Sequence, residues 1–256
     1  MRLRVDLILL TVALSYLSAC APAATPAPTP VVQQVIRTPA YAGLVKTWFD
    51  GYLRDNPDSS ISLVIQPPET ALASLENGAG EVIIGGLTPP AGWFATPLGE
   101  DGIVVVVHPD LLVRDLSIDE LAIIFTGHLN NWDSLADIDL QIQPVIPLHG
   151  DEVRATFQST VMSGQRFTNN ALLGPTPSAV LQLIVENEGA IGFLPYSALG
   201  EKVRPIRVEG ILPGAATIND GRYPLPVSIL ATAPQEPGGD IRTWLAWIQS
   251  ELQTAP

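Results

Sequence analysis

Apolar positions along the chain recur with two different periods. Tyr41, Leu44, Val45, Trp48, Phe49 and Tyr52 return every three or four residues, which predicts an amphipathic helix ending before Asn56-Pro57. Ile61 to Ile65 alternates as a strand, and Glu69 to Glu76 predicts a short helix. Glu81 to Gly86 predicts a buried strand running into two glycines. Ile103 to Val107 is apolar without a break, as expected of a strand covered on both faces. Ser117 with Glu120 makes a capping box for a helix carrying Leu121, Ile124 and Phe125 inward. A strand over Ile142 to Ile146 and a helix over Glu152 to Met162 follow. Thr176-Pro177 starts another helix whose inner face is Val180, Leu181, Ile184 and Val185. Ala190 to Leu194 predicts a strand, and Asp240 opens a last helix with Ile241, Trp244, Leu245, Ile248 and Leu252 inward. Strands alternating with helices of this length predict an α/β architecture.

The N-terminal segment follows neither period. Arg2 and Arg4 precede an apolar run from Leu7 to Leu17, and small residues lead to Cys20, the one cysteine of the chain. A run of about ten residues is too short for the ~20 a spanning helix needs, and a basic start before it has the anatomy of a cleaved leader. Leu17-Ser18-Ala19-Cys20 resembles a bacterial lipobox. That resemblance implies a signal peptide over residues 1–19, lipid on Cys20, and an extracytoplasmic body held at a cell membrane. An ordinary leader with a chance cysteine is the competing reading. Ala21 to Pro30 alternates prolines with small residues, so residues 20–34 read as a semi-extended tether reaching roughly 30 Å.

Composition narrows the function by exclusion. With no second cysteine, an exported chain must rely on packing rather than disulfides. A formal net charge of −13 argues against nucleic acid as a partner, since that needs clustered Lys and Arg, and against anionic headgroups as a docking surface. A small anion in a cleft is not excluded, because local donors decide that. About 237 residues beyond the leader are enough for one large domain or two modest lobes.

Four segments in order carry a more specific resemblance. Asp119 to Gly127 (Asp-Glu-Leu-Ala-Ile-Ile-Phe-Thr-Gly) is followed by Asn131-Trp132; later come Glu188 to Ser197, then Val208 to Pro213 with Thr217 to Leu225. The fourth is Pro147 to Phe157. Together they resemble the phosphate-binding periplasmic proteins. The resemblance implies a type II periplasmic solute-binding fold with two lobes, mixed sheets flanked by helices and a ligand cleft between them. Lobe I would comprise residues 35–107 and 196–256, lobe II residues 108–195, with crossings near His108-Pro109 and Pro195-Tyr196. It also implies an ABC permease as partner and a small-molecule or anion ligand, bound by a monomer without catalysis, cofactor or metal.

The ligand pattern itself departs from that family. Its cradle resembles arginine-x-x-glycine-serine-glycine-threonine-arginine, ending a strand and opening a helix. Here the stretch reads Pro147-Leu148-His149-Gly150-Asp151-Glu152-Val153-Arg154, so Gly150 and Arg154 survive, and Asp151, Glu152 and Val153 replace serine, glycine and threonine. Carboxylates suit a helix N-terminus by ~0.3–1 kcal/mol, but beside a dianion each repels by ~4 kcal/mol at 4 Å and an effective dielectric of 20. Thr38 in Arg37-Thr38-Pro39-Ala40 and Thr88 in Gly86-Leu87-Thr88-Pro89-Pro90 are the hydroxyls left in the other loops. The candidate site is therefore Thr38, Thr88, Gly150, Asp151, Glu152, Val153 and Arg154, expected to disfavour free phosphate. Asp151 and Glu152 would either favour a ligand of amine or cationic character or hold Arg154 in position.

Other chemistries find little footing. His108, His128 and His149 are dispersed, and His149 with Asp151 and Glu152 lacks an evident third metal ligand. There is no serine-nucleophile elbow and no phosphate-cradling lysine loop. A surface lipoprotein using the same fold as a sensory or protein-interaction module stays open as the alternative function.

Overall fold

One long strand joins the two halves of the molecule. The structure is a computed structural model and describes residues 32–254. Leader, lipobox and most of the tether thus lie outside the described residues. Strand β4 (Phe94–Val107) pairs antiparallel with β11 (Pro226–Ala233) through residues 94 to 102, and with β8 (Ala190–Pro195) through residues 103 to 107. Around the first half of β4 the order is β2 (Ile61–Ile65), β1 (Gln33–Arg37), β3 (Val82–Gly85) and β11, with β1 parallel to both its neighbours. Around the second half it is β8, β6 (Gln143–Pro147) and β7 (Leu172–Gly174), again parallel beyond β8. Parallel neighbours need crossover connections, and helices α1 (Ala42–Asp55) and α2 (Pro68–Glu76) supply them in the first half-sheet. A short strand β9 (Arg204–Pro205) lies on the second half of β4, β5 (Asp115–Leu116) pairs with β10 (Arg207–Val208), and helix α7 (Ala215–Asn219) precedes β11.

Burial explains the unbroken apolar run. All five residues from Ile103 to Val107 are fully buried. Ile103, Val105 and Val107 belong to the main core, while Val104 and Val106 face a second cluster with Val145, Val180, Ile184, Ala190 and Leu194. Alternate side chains thus enter opposite layers, and each face is covered by helix. The first half of β4 was illegible as a strand because Pro97 and two glycines, Gly99 and Gly102, interrupt it. The register slips between Ile229 and Leu230, which face Gly99 and Pro97, so Leu98 is an extra, buried residue. Such a bulge admits a proline that cannot donate to the ladder.

Local signals behave as the sequence suggests in several places. Ser117 and Glu120 form the reciprocal cap of helix α3 (Ile118–Phe125), and Thr176 caps α6 (Pro177–Val185) through the Ala179 N–H. Between them lie α4 (Asp133–Ala136) and α5 (Glu152–Thr160). Two expected inward positions are partly open: Val185 is 36% exposed and Leu252 is 41% exposed. Val185 ends α6, and Leu252, in the last turn of α8 (Gly239–Thr254), lies against Gly99 of β4. Trp93 and Phe94 are partly buried against the main core.

Trp132 is fully buried and its indole donates to the Gly189 carbonyl at 3.0 Å. A Cβ at Gly189 would stand 2.0 Å from the Gln141 carbonyl oxygen, so only glycine fits beneath that strand pair. Because a backbone atom cannot swing aside, Gly189→Ala should cost ~2 kcal/mol or more in urea unfolding, at the upper part of ordinary overpacking losses. An unchanged midpoint would contradict this packing.

Candidate ligand-binding site

Three loops that follow parallel strands meet at one cleft. Thr38 follows β1, Gly86 to Thr88 follow β3, and His149 to Asp151 follow β6. Ligands of open α/β sheets collect beyond the carboxyl ends of such strands, where loops and helix starts converge. The cavity there measures about 360 Å³, with Thr88, Gly150, Asp151, Glu152 and Arg154 in its lining together with Glu69, His149 and Gly86. Five of the seven sequence-derived residues thus meet in one space. Thr38 lies fully buried behind it, and Val153 points into the core.

The helix start is already satisfied from within. Gly150 turns the chain at φ +83°, a conformation that a side chain would resist. Asp151 then sits at the N-cap of α5, and its Oδ1 accepts from the Val153 N–H at 2.9 Å and the Arg154 N–H at 3.1 Å. Those are the orphan donors a bound anion would otherwise use. Burial raises the pKa of Asp151, against the two N–H bonds and the nearby Arg154 charge. Arg154 itself is turned aside: its Nη1 donates to the Pro147 carbonyl at 3.0 Å, and its guanidinium stands 4.9 Å over the Phe167 ring. Arg37 is likewise engaged, donating to the Ala42 carbonyl.

Glu152 is the unusual group. It is the first residue of α5 and only 7% exposed. Its Oε1 accepts a short hydrogen bond from Thr38 Oγ1, which links α5 to the loop after β1. Its Oε2 is buried with no hydrogen-bond partner among the described residues. The backbone N–H of Gly86 faces the carboxyl and favours its ionised form without closing a bond on Oε2. A Cβ at Gly85 would meet Thr38 Oγ1 at 2.6 Å and Glu152 Oε2 at 3.0 Å, so the contact exists because β3 ends in glycine. Burial first, and then the Asp151 charge, push the Glu152 pKa up to about 8, against the opposing pull of Thr38 and Gly86.

Three further residues were not singled out by sequence reasoning. Tyr41 is fully buried with an unpartnered hydroxyl, and burial together with the charges of Glu152, Asp101 and Asp151 holds its pKa well above normal. Asp101, on β4 at the passage between half-sheets, accepts from Ser197 Oγ at 2.5 Å and from the Gly102 N–H at 2.7 Å. The third is Gly85. A glycine pair closing a buried strand was the one signal for such a close approach. Among the described residues no group of three His, Cys, Asp or Glu side chains is placed to hold a metal ion.

A cleft at the strand ends of two half-sheets that share strand β4 defines a type II solute-binding fold. The comparisons agree, because the PBP superfamily domain matches residues 25–251. The chain belongs to that superfamily, in its PstS-like group. It is 30% identical over 218 residues to the phosphate-binding protein PstS of Bacillus subtilis (strain 168), covering 81% of this chain and 72% of that one. A phosphate ABC transporter substrate-binding protein from Clostridium perfringens, solved with bound phosphate, superposes with a TM-score of 0.79 at 20% identity over 84% of this chain and 92% of that one. The regulatory domain of Synechocystis CcmR, solved with 2-PG, has the same fold at a TM-score of 0.65 and 13% identity over 88% and 98% of the two chains.

Titration of Glu152 fixes a pH dependence. Its folded pKa of about 8 lies above the ordinary 4.5, so between those values the folded state holds a proton the unfolded chain has released. Stability is therefore lost as pH rises from about 4.5 to about 8 and levels off above, a change on the order of 2–5 kcal/mol. Asp151 acts in the same direction. In Glu152→Gln the decline in thermal midpoint between pH 5 and 8.5 should shrink, leaving the variant above wild type at pH 8.5. Parallel pH profiles would refute the assignment.

Proposed function

We propose that this chain is an extracytoplasmic solute-binding receptor, held to the membrane by lipid on Cys20, which delivers a small ligand to the permease of an ABC importer. The ligand sits in the cleft lined by Thr88, Gly150, Asp151, Glu152 and Arg154, and no chemistry is done on it. Residues 1–19 are the leader and 20–34 the tether. Residues 35–107 with 196–256, and residues 108–195, form the two lobes, except that Ile103–Val107 and Arg204–Pro205 pair on the second half-sheet and Arg207–Val208 pairs with Asp115–Leu116. Closure of the lobes over the solute is the signal read by the permease. The receptor works as a monomer.

Supporting this reading are the position of the cavity at the strand ends and the names of the relatives, which bind phosphate. The observation that carries the choice of ligand is the occupied state of the helix-start and hydroxyl donors. Asp151 holds the helix N–H groups and Glu152 holds Thr38. A phosphate dianion would have to displace these and then face two carboxyl groups. One ionised group at 4 Å opposes it by ~4 kcal/mol at an effective dielectric of 20, close to a thousandfold in affinity. This argues against free phosphate as the ligand. A solute with an amine or cationic group is favoured instead, because the carboxyl groups of Glu69 and Asp151 in the lining offer it acceptors.

A second reading is a sensory or protein-interaction module, favoured by the regulatory-domain neighbours that share this fold. The two separate in a thermal-shift panel of phosphate, other oxyanions, amino acids and polyamines on the purified protein. We expect stabilisation by an amine-bearing solute and none by phosphate. Micromolar phosphate binding that persists when Asp151 and Glu152 are replaced by serine and glycine would overturn the choice of ligand. Silence across the whole panel would favour the sensory module.

A further inference from the structure

We propose that Glu152 is the resident occupant of an oxyanion seat, an internal carboxyl ligand that closes the cleft to small anions by filling the place they would take. The seat is built. Thr38, fully buried, gives its hydroxyl to Oε1, and the Gly86 N–H faces the carboxyl. Gly85 leaves the space that a carboxyl group occupies, its absent Cβ falling within 3.0 Å of Oε2. The seat also joins separate parts of the chain, since Thr38 follows β1 in the first half-sheet while Glu152 follows β6 in the second. An unpartnered buried oxygen is costly to keep. Oε2 therefore marks a place where the carboxyl is held by the fit of its other oxygen and by packing, as a bound guest is held.

This goes beyond the proposed function while resting on its reading of the cleft as the solute site. Glu152 determines specificity by occupation. The remaining cavity of about 360 Å³ in front of it is what a solute can use. Removing the side chain leaves Thr38 Oγ1 and the Gly86 N–H converging on a carboxylate-sized space. The ligand class of that space is a small carboxylate or similar oxyanion.

The test is anion rescue in Glu152→Ala. Formate, acetate and orthophosphate are added at constant ionic strength against chloride. Formate at about ten times its dissociation constant should raise the thermal midpoint of the variant by about 3–5 °C, while wild type stays unmoved. Adding Thr38→Val to the variant should abolish the response. Orthophosphate acting where formate does not would make the seat one for tetrahedral ions and overturn the carboxylate assignment. An anion response in Glu152→Ala equal to that of wild type overturns the proposal altogether. Should Glu152→Ala fail to fold, refolding it in formate against chloride reads the same seat. Recovery of a cooperative unfolding transition in formate and not in chloride is the expected result, and no recovery in formate overturns the proposal. Neither result depends on which solute wild type takes, so failure here is distinguishable from failure of the ligand panel.

Discussion

The continuity of β4 is the constraint on which the architecture rests. A single strand forms an edge-to-edge pairing with β11 along its first half and with β8 along its second, so each half-sheet is ordered relative to the same backbone. The passage between them is pinned by side chains as well. Tyr223 donates its hydroxyl to the Ile103 carbonyl at 2.9 Å, and Asp101 gathers Ser197 and the Gly102 N–H beside it. The strand ends that frame the cleft are thereby brought to one place although residues 38 and 152 are far apart in sequence.

Within that frame the chemistry of the cleft follows from two adjacent acids playing different parts. Asp151 is a helix cap with satisfied geometry, and its charge is spent on the N–H groups of α5. Glu152 is buried one residue later with half its hydrogen-bonding capacity unused. The same substitution pattern that improves the helix start removes the free donors at its tip. Shared ancestry with phosphate-binding relatives is therefore compatible with a cleft of different preference, since the fold and the donor set are separable properties.

Much of this organisation was legible in the residues. The fold class, the helix caps at Ser117 and Thr176 and the doubly buried strand Ile103 to Val107 follow from periodicity and local chemistry. Five candidate site residues share one cavity because the glycine turn and helix cap at 150–151 dictate where the chain points. Other features were hidden for physical reasons. The first half of β4 is broken by Pro97 and glycines that a bulge accommodates, and β11 opens on Pro226, so neither reads as a strand. Val153 belongs to the helix start by sequence but faces the core by rotation. Nothing local announces that Thr38 will reach Glu152, because that contact depends on β1, β3 and β6 being assembled first.

Helix α5 is anchored on its core-facing side by rings. Phe157 stacks on Phe193 with centroids 3.9 Å apart and planes 2° from parallel, and Phe125 meets both edge-on. Aromatic pairs of this kind add ~0.5–1.5 kcal/mol each beyond their burial, so the helix cannot slide or roll without giving up several at once. The polarity of the cleft thus borrows its rigidity from an apolar cluster more than a turn away. Any withdrawal of the Glu152 head group must come from rotation about its own side-chain bonds, with the helix serving as a fixed pivot.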